Sequence, residues 1–249
     1  MWKVTIYDYA RKQVSKMWIN SRAPLRLSFA GGGSDIAEFA IQHGGAVCST
    51  TISRFARVRV RKELDSSEKI EAGYVHEILA HFLPAEVEVR VDAPTSSGLG
   101  ASGAIGTALV GALAALFPKH NLCGESIPAL AYSAEKAYNP GVGIQDHWSA
   151  YSGGINLIRF NPPVVTVEKL ALTCDTSLLL ENSLLMTFIH SRSSTSYAIM
   201  ADEQYRIHEK DSHLIAALKK QRQLAESVAR CLVAGDLLGF GEALNEAWQ

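Results

Sequence analysis

Apolar positions along the chain follow two periods. Between Val87 and Val91 the valines alternate with Glu88 and Arg90, the period-two mark of a half-buried strand. Leu25, Leu27 and Phe29 alternate likewise and predict an earlier strand, ended by the glycine triplet 31–33. Gly44 and Gly45 open a turn into a further strand. Phe55–Arg61 predicts another, with Ala56, Val58 and Val60 inward and Arg57, Arg59 and Arg61 on a solvated face. Helical spacing covers Ile70–Phe82, the Ala/Leu/Val-rich run after Gly103, and Ser126–Tyr138, where Pro128 sits in the first turn. A short helix is expected from Gln145 and a strand over Ile155–Phe160. An apolar strand follows over Leu184–His190, then helices over Tyr197–Glu209, Ser212–Ala234 and Asp236–Trp248.

Composition narrows the function classes. The 249 residues have room for one large or two small domains. With 20% charged residues and a net charge of −1, neither a nucleic-acid surface nor an acidic tail is expected. No apolar run approaches the roughly 20 residues that span a bilayer, so no membrane partner is expected. Residues 1–20 carry cationic and aromatic side chains without an apolar core or cleavage site, and are taken as an N-terminal extension rather than a signal peptide. Cys48, Cys123, Cys174 and Cys231 are scattered, with no CxxC pair. Buried free thiols in a reducing cytoplasm are the expectation.

The stretch Val87–Phe117 holds the clearest chemistry. A strand runs into Pro94, three small polar residues and glycines at 98, 100 and 103, and then into a helix. That order aims backbone N–H groups and the positive end of a helix dipole at one point, which suits a phosphate. Tight packing alone also produces such turns. The spacing Gly98-x-Gly100-x-x-Gly103 matches the dinucleotide fingerprint, but the second parallel strand and its acidic residue do not follow. No Lys-Ser/Thr pair follows Gly103, so the Walker A loop is not matched either.

The remaining string, Pro94-Thr-Ser-Ser-Gly98-Leu99-Gly100-Ala101-Ser102-Gly103-Ala104, resembles the second motif of the GHMP small-molecule kinases. It departs at Ala101, where the family usually has serine, and at Gly103, where it has alanine. Ser21–Phe39 resembles the first motif, in the form found in D-glycero-D-manno-heptose 7-phosphate kinases, with only Leu27 and Ser34 differing from it over the matched stretch. Gly143-Ile-Gln145-Asp146-His147-Trp148 and Gly153-Gly154 resemble a further segment, His147 and Trp148 replacing Gln and Tyr. His147 is expected to be a pocket-edge or packing histidine rather than a base. Glu135 precedes Asp146 by the interval that separates metal-binding glutamate from active-site aspartate in that family.

The resemblance implies an α+β GHMP kinase fold. A ribosomal S5 domain 2-like domain would span 21–175 and an incomplete ferredoxin-like domain 176–249. It also implies ATP held at Pro94, Ser96, Ser97, Gly98, Leu99, Gly100, Ala101, Ser102 and Gly103, with Mg²⁺ on Ser102 and Glu135. Asp146 and Arg26 would serve the acceptor hydroxyl, while Gly32, Gly33, Ser34, Asp35, Gln145 and Arg192 would contact the sugar phosphate. Each residue also has a plainer reading: Asp35 as a helix cap, Asp146 as a first-turn acid, Glu135 paired with Lys136 or Lys62, and Arg192 as a helix-start cation. No third glycine-rich motif follows GDLLGFGEALNEAW, so a shortened second domain with an exposed sheet edge and a possible homodimer are expected. Three classes stay open: a cytoplasmic kinase for a heptose phosphate or another sugar such as fucose or galactose, a non-catalytic binding protein of the same fold, and a nicotinamide-dependent oxidoreductase.

Overall fold

The computed structural model describes residues 17–62, 74–82, 85–189 and 196–248. Its centre is a five-stranded antiparallel sheet built on one long strand. β1 (Ile19–Ala30) pairs along most of its length with β2 (Gly45–Lys62). On its other side β2 changes partner, pairing through Gly45–Thr50 with β4 (Ile155–Asn161) and through Ala56–Lys62 with β3 (Ala85–Val91). β5 (Val164–Lys169) extends the sheet beyond β4. The sequence pattern split β2 into two strands. The structure joins them, because β1 continues beside the polar middle of β2 while the opposite neighbour changes.

The predicted inward set is buried: Ala56, Val58 and Val60 lie in the core. Their outward neighbours form a ladder with β3, where Arg59 bonds Glu88 through two nitrogens at 2.7 and 2.6 Å. Arg61 meets Glu86 at 2.6 Å, and Arg57 meets Asp92. Such exposed pairs contribute little individually, but they show the arginines to be a paired strand face rather than a free basic patch. Val89 is more exposed than the alternation predicts because β3 lies at a sheet edge.

One face of the sheet is covered by α3 (Ala101–Leu116), which packs on β1 and β2 and against α4 (Ser126–Tyr138). Leu25, Leu109 and Leu113 are wholly enclosed in this core. Truncating one of them to alanine would cost about 2–5 kcal/mol. The other face carries α8 (Ser212–Ala234) and α9 (Leu237–Trp248), where Phe240 meets Phe29 edge-on at 5.1 Å. Phe29 reaches this second core because β1 changes register after Ser28. Further helices are α1 (Ala37–His43), α2 (Tyr74–Leu79), α5 (Gln145–Ser152) and α7 (Ser196–His208).

Three expectations change. Before the apolar run at 184 stands α6 (Cys174–Ser183), and residues 184–189 form no strand; Leu185 and Ile189 are largely exposed. β5, absent from the sequence reading, pairs with β4 instead. Of the cysteines only Cys48 is buried, while Cys123 and Cys174 are exposed. Residues 1–16 and 63–73, which include most of the N-terminal extension and the start of the helix expected over Ile70–Phe82, lie outside the described residues. Among those described, no helix is long and apolar enough to cross a membrane.

Candidate active site

The glycine-rich loop leaves β3 beside the point where β2 changes partner. Asp92 anchors it there: its N–H donates to the Phe55 carbonyl at 2.9 Å, and its carboxylate accepts the Phe55 N–H at 3.2 Å. The chain then turns through Gly98 and Gly100 into α3. Gly100, at φ 69°, occupies the left-handed region immediately before the first helical residue, a conformation that costs glycine little.

Arg26 on β1 ties this loop to the acidic side of the site. Its backbone N–H donates to the Leu99 carbonyl at 3.0 Å, and Nη1 donates to the Gly98 carbonyl at 2.7 Å. The same guanidinium reaches Oδ1 of Asp146 with Nε at 2.7 Å and Nη2 at 2.5 Å. Asp146 sits in the first turn of α5, as its plainer reading also required. That placement and the arginine contact hold together. Gly103 explains how α5 comes so near: a Cβ there would lie 2.5 Å from Cβ of Asp146 and 3.0 Å from the His147 nitrogen. The departure from alanine at this position is therefore what lets α3 and α5 touch.

Asp35 is fully buried and does not cap the helix that follows it, α1. Its carboxylate accepts the backbone N–H of Gln145 at 3.0 Å and the Gln145 side-chain amide at 3.2 Å. Burial, the largest cause, and the nearby Asp146 carboxylate push the Asp35 pKa up, against the lowering effect of the Gln145 amide. Glu135 is enclosed near the end of α4, and its Oε2 lies 2.9 Å from Nε2 of the fully buried His147. Of the two readings of His147, pocket-edge or packing, the buried imidazole fits the second, and Glu135 meets it rather than either lysine.

A cleft of about 1100 Å³ gathers these pieces. Arg26, Gly32, Gly33, Asp35, Pro94, Ser96–Ser102, Glu135, Gln145 and Asp146 all line it. Ser34 and Gly103 stand behind the wall. The Ser34 hydroxyl has its one proton within reach of the Gly31 carbonyl at 2.7 Å and the Ala46 carbonyl at 3.0 Å and accepts the Ala46 N–H, so it fixes the glycine triplet against β2. Arg192 lies outside the described residues.

Residues 59–154, which include the loop, Glu135 and Asp146, match the model of the GHMP kinases N terminal domain. Over that stretch the chain is similar to a GHMP kinase N-terminal domain. Its first motif, with Arg26 and Asp35, lies ahead of the matched stretch but faces the same cleft. A D-glycero-alpha-D-manno-heptose 7-phosphate kinase from Campylobacter jejuni is 26% identical, with 93% of this chain aligned to 76% of that protein. A crystal structure of a D-glycero-D-manno-heptose 1-phosphate kinase from Bacteriodes thetaiotaomicron superposes with a TM-score of 0.70 at 24% identity, covering 93% of this chain and 78% of that one. Lactococcus lactis galactokinase complexed with galactose gives a TM-score of 0.62 at 17% identity, over 98% and 78% of the two chains. The overall fold is that of the GHMP kinases.

Within this GHMP kinase fold the structure adds residues that the sequence reading missed. Glu203 and Met200 on α7, together with Met186 and Phe188, form the wall opposite the glycine triplet. Ser28, Arg54, Asp92 and Asn139 also line the cleft. Glu203 is half-buried, and burial first, then Asp35, raises its pKa. No local pattern marked it, since α7 reaches the site through tertiary packing on α1, α8 and the Gly141–Gly143 turn.

Among the described residues no group of three or more His, Cys, Asp or Glu side chains is placed to hold a metal ion. Ser102 and Glu135 nevertheless offer a hydroxyl and a carboxylate to the same cleft. Hard oxygen donors in so small a number fit Mg²⁺, which is usually held by one or two carboxylates, water and substrate phosphates.

Proposed function

We propose that this chain transfers the γ-phosphoryl group of ATP to the anomeric hydroxyl of D-glycero-D-manno-heptose 7-phosphate, giving the 1,7-bisphosphate. The single observation that carries the reading is Arg26, which binds the Gly98 carbonyl of the candidate phosphate loop and the Asp146 carboxylate with one guanidinium. Nucleotide and acceptor hydroxyl would thereby meet across a few ångströms, and positioning is most of what phosphoryl transfer requires of a protein. The similarity to a heptose 7-phosphate kinase favours that acceptor over fucose or galactose.

In this reading the backbone N–H groups of residues 98–103 and the start of α3 receive the triphosphate. Ser102 and Glu135 would hold Mg²⁺, which supplies charge neutralisation on the phosphates. Asp146 takes or orients the proton of the acceptor hydroxyl, and Arg26 keeps that carboxylate in place. Asp35, positioned by Gln145, accepts hydrogen bonds from other sugar hydroxyls. Residues 21–175 would form the nucleotide- and sugar-binding domain and 176–249 part of the second domain, with Arg192 on the distal phosphate. The test is ADP release, coupled to a dye or pyridine-nucleotide readout, from MgATP with a panel of sugars and sugar phosphates. Turnover highest with the heptose 7-phosphate is expected; no acceptor-dependent ADP with any member rejects the reading.

A further inference from the structure

The acceptor end of the cleft has a carboxyl group on each side, Asp35 and Glu203. Asp35 and Glu203 approach from α1's leading turn and from α7, close enough for the Asp35 carboxylate to raise the proton affinity of Glu203. Glu203 reaches across to the glycine triplet, its Oε2 lying 3.6 Å from where a Cβ on Gly33 would stand. It makes no hydrogen bond or ion pair with another described residue. Gln145, more than nine-tenths buried, gives its amide N–H to Asp35 and leaves Oε1 without a partner on the same wall. A buried acceptor with no donor is costly; Gln145 Oε1 has none and Glu203 has none among the described residues, so the cleft they line beside Asp35 points to a ligand that brings donors.

We infer that Glu203 is a specificity-determining residue that reads a sugar hydroxyl, working beside Asp35 and Gln145. The inference rests on the sugar-kinase reading and adds a constraint to it. A phosphate or carboxylate carried on the acceptor cannot lie against Glu203, because like charges in a half-dry pocket repel strongly; the distal phosphate of a sugar phosphate must point elsewhere. What faces Glu203 is a neutral hydroxyl, and such a bond to a charged acceptor is among the stronger ones.

The experiment measures acceptor and nucleotide binding separately, by calorimetry and by steady-state KM, for the full chain and for Glu203→Gln and Glu203→Ala. Monodeoxy analogues of the best acceptor are titrated alongside. Expected for both variants is a rise of about tenfold or more in acceptor Kd and KM, with nucleotide Kd moving less than twofold. One deoxy analogue should bind the wild type about tenfold worse than the parent sugar, yet bind Glu203→Ala no worse than the parent does. Acceptor affinity unchanged in both variants overturns the assignment of Glu203 while leaving the kinase reading intact. A wild-type chain that binds nucleotide but no sugar in the panel removes both. Nucleotide affinity falling together with acceptor affinity would assign Glu203 a structural role and overturn the inference as well.

Discussion

Arg26 meets Asp146 on a single oxygen. Both Nε and Nη2 of the guanidinium close on Oδ1, at 2.7 and 2.5 Å, so Oδ2 is the oxygen left for an incoming hydroxyl. A carboxylate clamped in this way keeps its direction without having both lone-pair sets occupied. Asp146→Asn preserves the size of the side chain and removes its basicity. Turnover should fall by about 10²–10⁴-fold, while nucleotide Kd stays within about twofold of wild type. Stopped-flow or steady-state ADP release beside a fluorescent-nucleotide titration checks both halves. Unchanged turnover rejects the role given to Asp146.

Gly103 supports the same carboxylate from behind. A methyl group there would press on the backbone carbon of Asp146 at 2.9 Å as well as on its Cβ, and backbone cannot move aside as a flexible side chain can. Gly103→Ala is therefore expected to force α3 and α5 apart, costing about 1–3 kcal/mol of stability, and to lower turnover by displacing Asp146. Urea unfolding and kcat measured on the same preparation test this. Wild-type values of both would mean that the helices have slack that the packing does not show.

Much of this site could be read before the fold was known, because its parts lie in short contiguous strings. Arg26, Asp35, residues 94–103 and Asp146 each sit at the mouth of an element whose period was plain. What the strings did not contain was tertiary. Glu203 comes to the cleft from a helix whose own sequence carries no sign of it. The Leu184–His190 run has the composition of a strand, but residues 184–189 meet no neighbouring strand among the described residues, and a strand exists only through its pairing. β2 was divided at its polar centre because alternation reports burial, while continuity there comes from hydrogen bonds to β1. Ser34 was read as a substrate contact from its motif, yet its hydroxyl is consumed by Gly31 and Ala46.

Asp35 gives the chain a pH signature. Its folded pKa is raised, chiefly by burial, so the folded state holds the proton more tightly than the unfolded chain. The stability this contributes is complete below the unfolded value, near 3.8, and is lost as pH rises through the folded pKa. Above that folded pKa the free protein carries a destabilising buried charge. Asp35→Asn should raise the unfolding midpoint at pH 7–8, with the gain shrinking as the pH is lowered towards the carboxylate range. The same variant should weaken acceptor binding by about tenfold or more, since a charged acceptor is replaced by an amide. Melting curves across the pH range decide the matter, and a variant less stable than wild type at pH 8 would reverse the sign.

Glu135 and His147 form the other enclosed contact, at 2.9 Å between Oε2 and Nε2, and two substitutions separate its structural role from its role in the site. His147→Ala removes the neighbour of a buried carboxylate and opens space beside it, so stability should drop by about 1–3 kcal/mol or more. Glu135→Gln keeps the volume and a polar group opposite the imidazole, and its cost should stay under about 1 kcal/mol. On activity the order reverses. Losing the carboxylate charge that lines the cleft with Ser102 should raise the Mg²⁺ concentration for half-maximal turnover about tenfold, whereas His147→Ala, assayed well below its melting point, should shift it far less. Magnesium titrations of the two variants side by side make the comparison. Equal shifts would mean that His147 governs the carboxylate's position as much as its packing, and no shift in Glu135→Gln would remove Glu135 from the metal site.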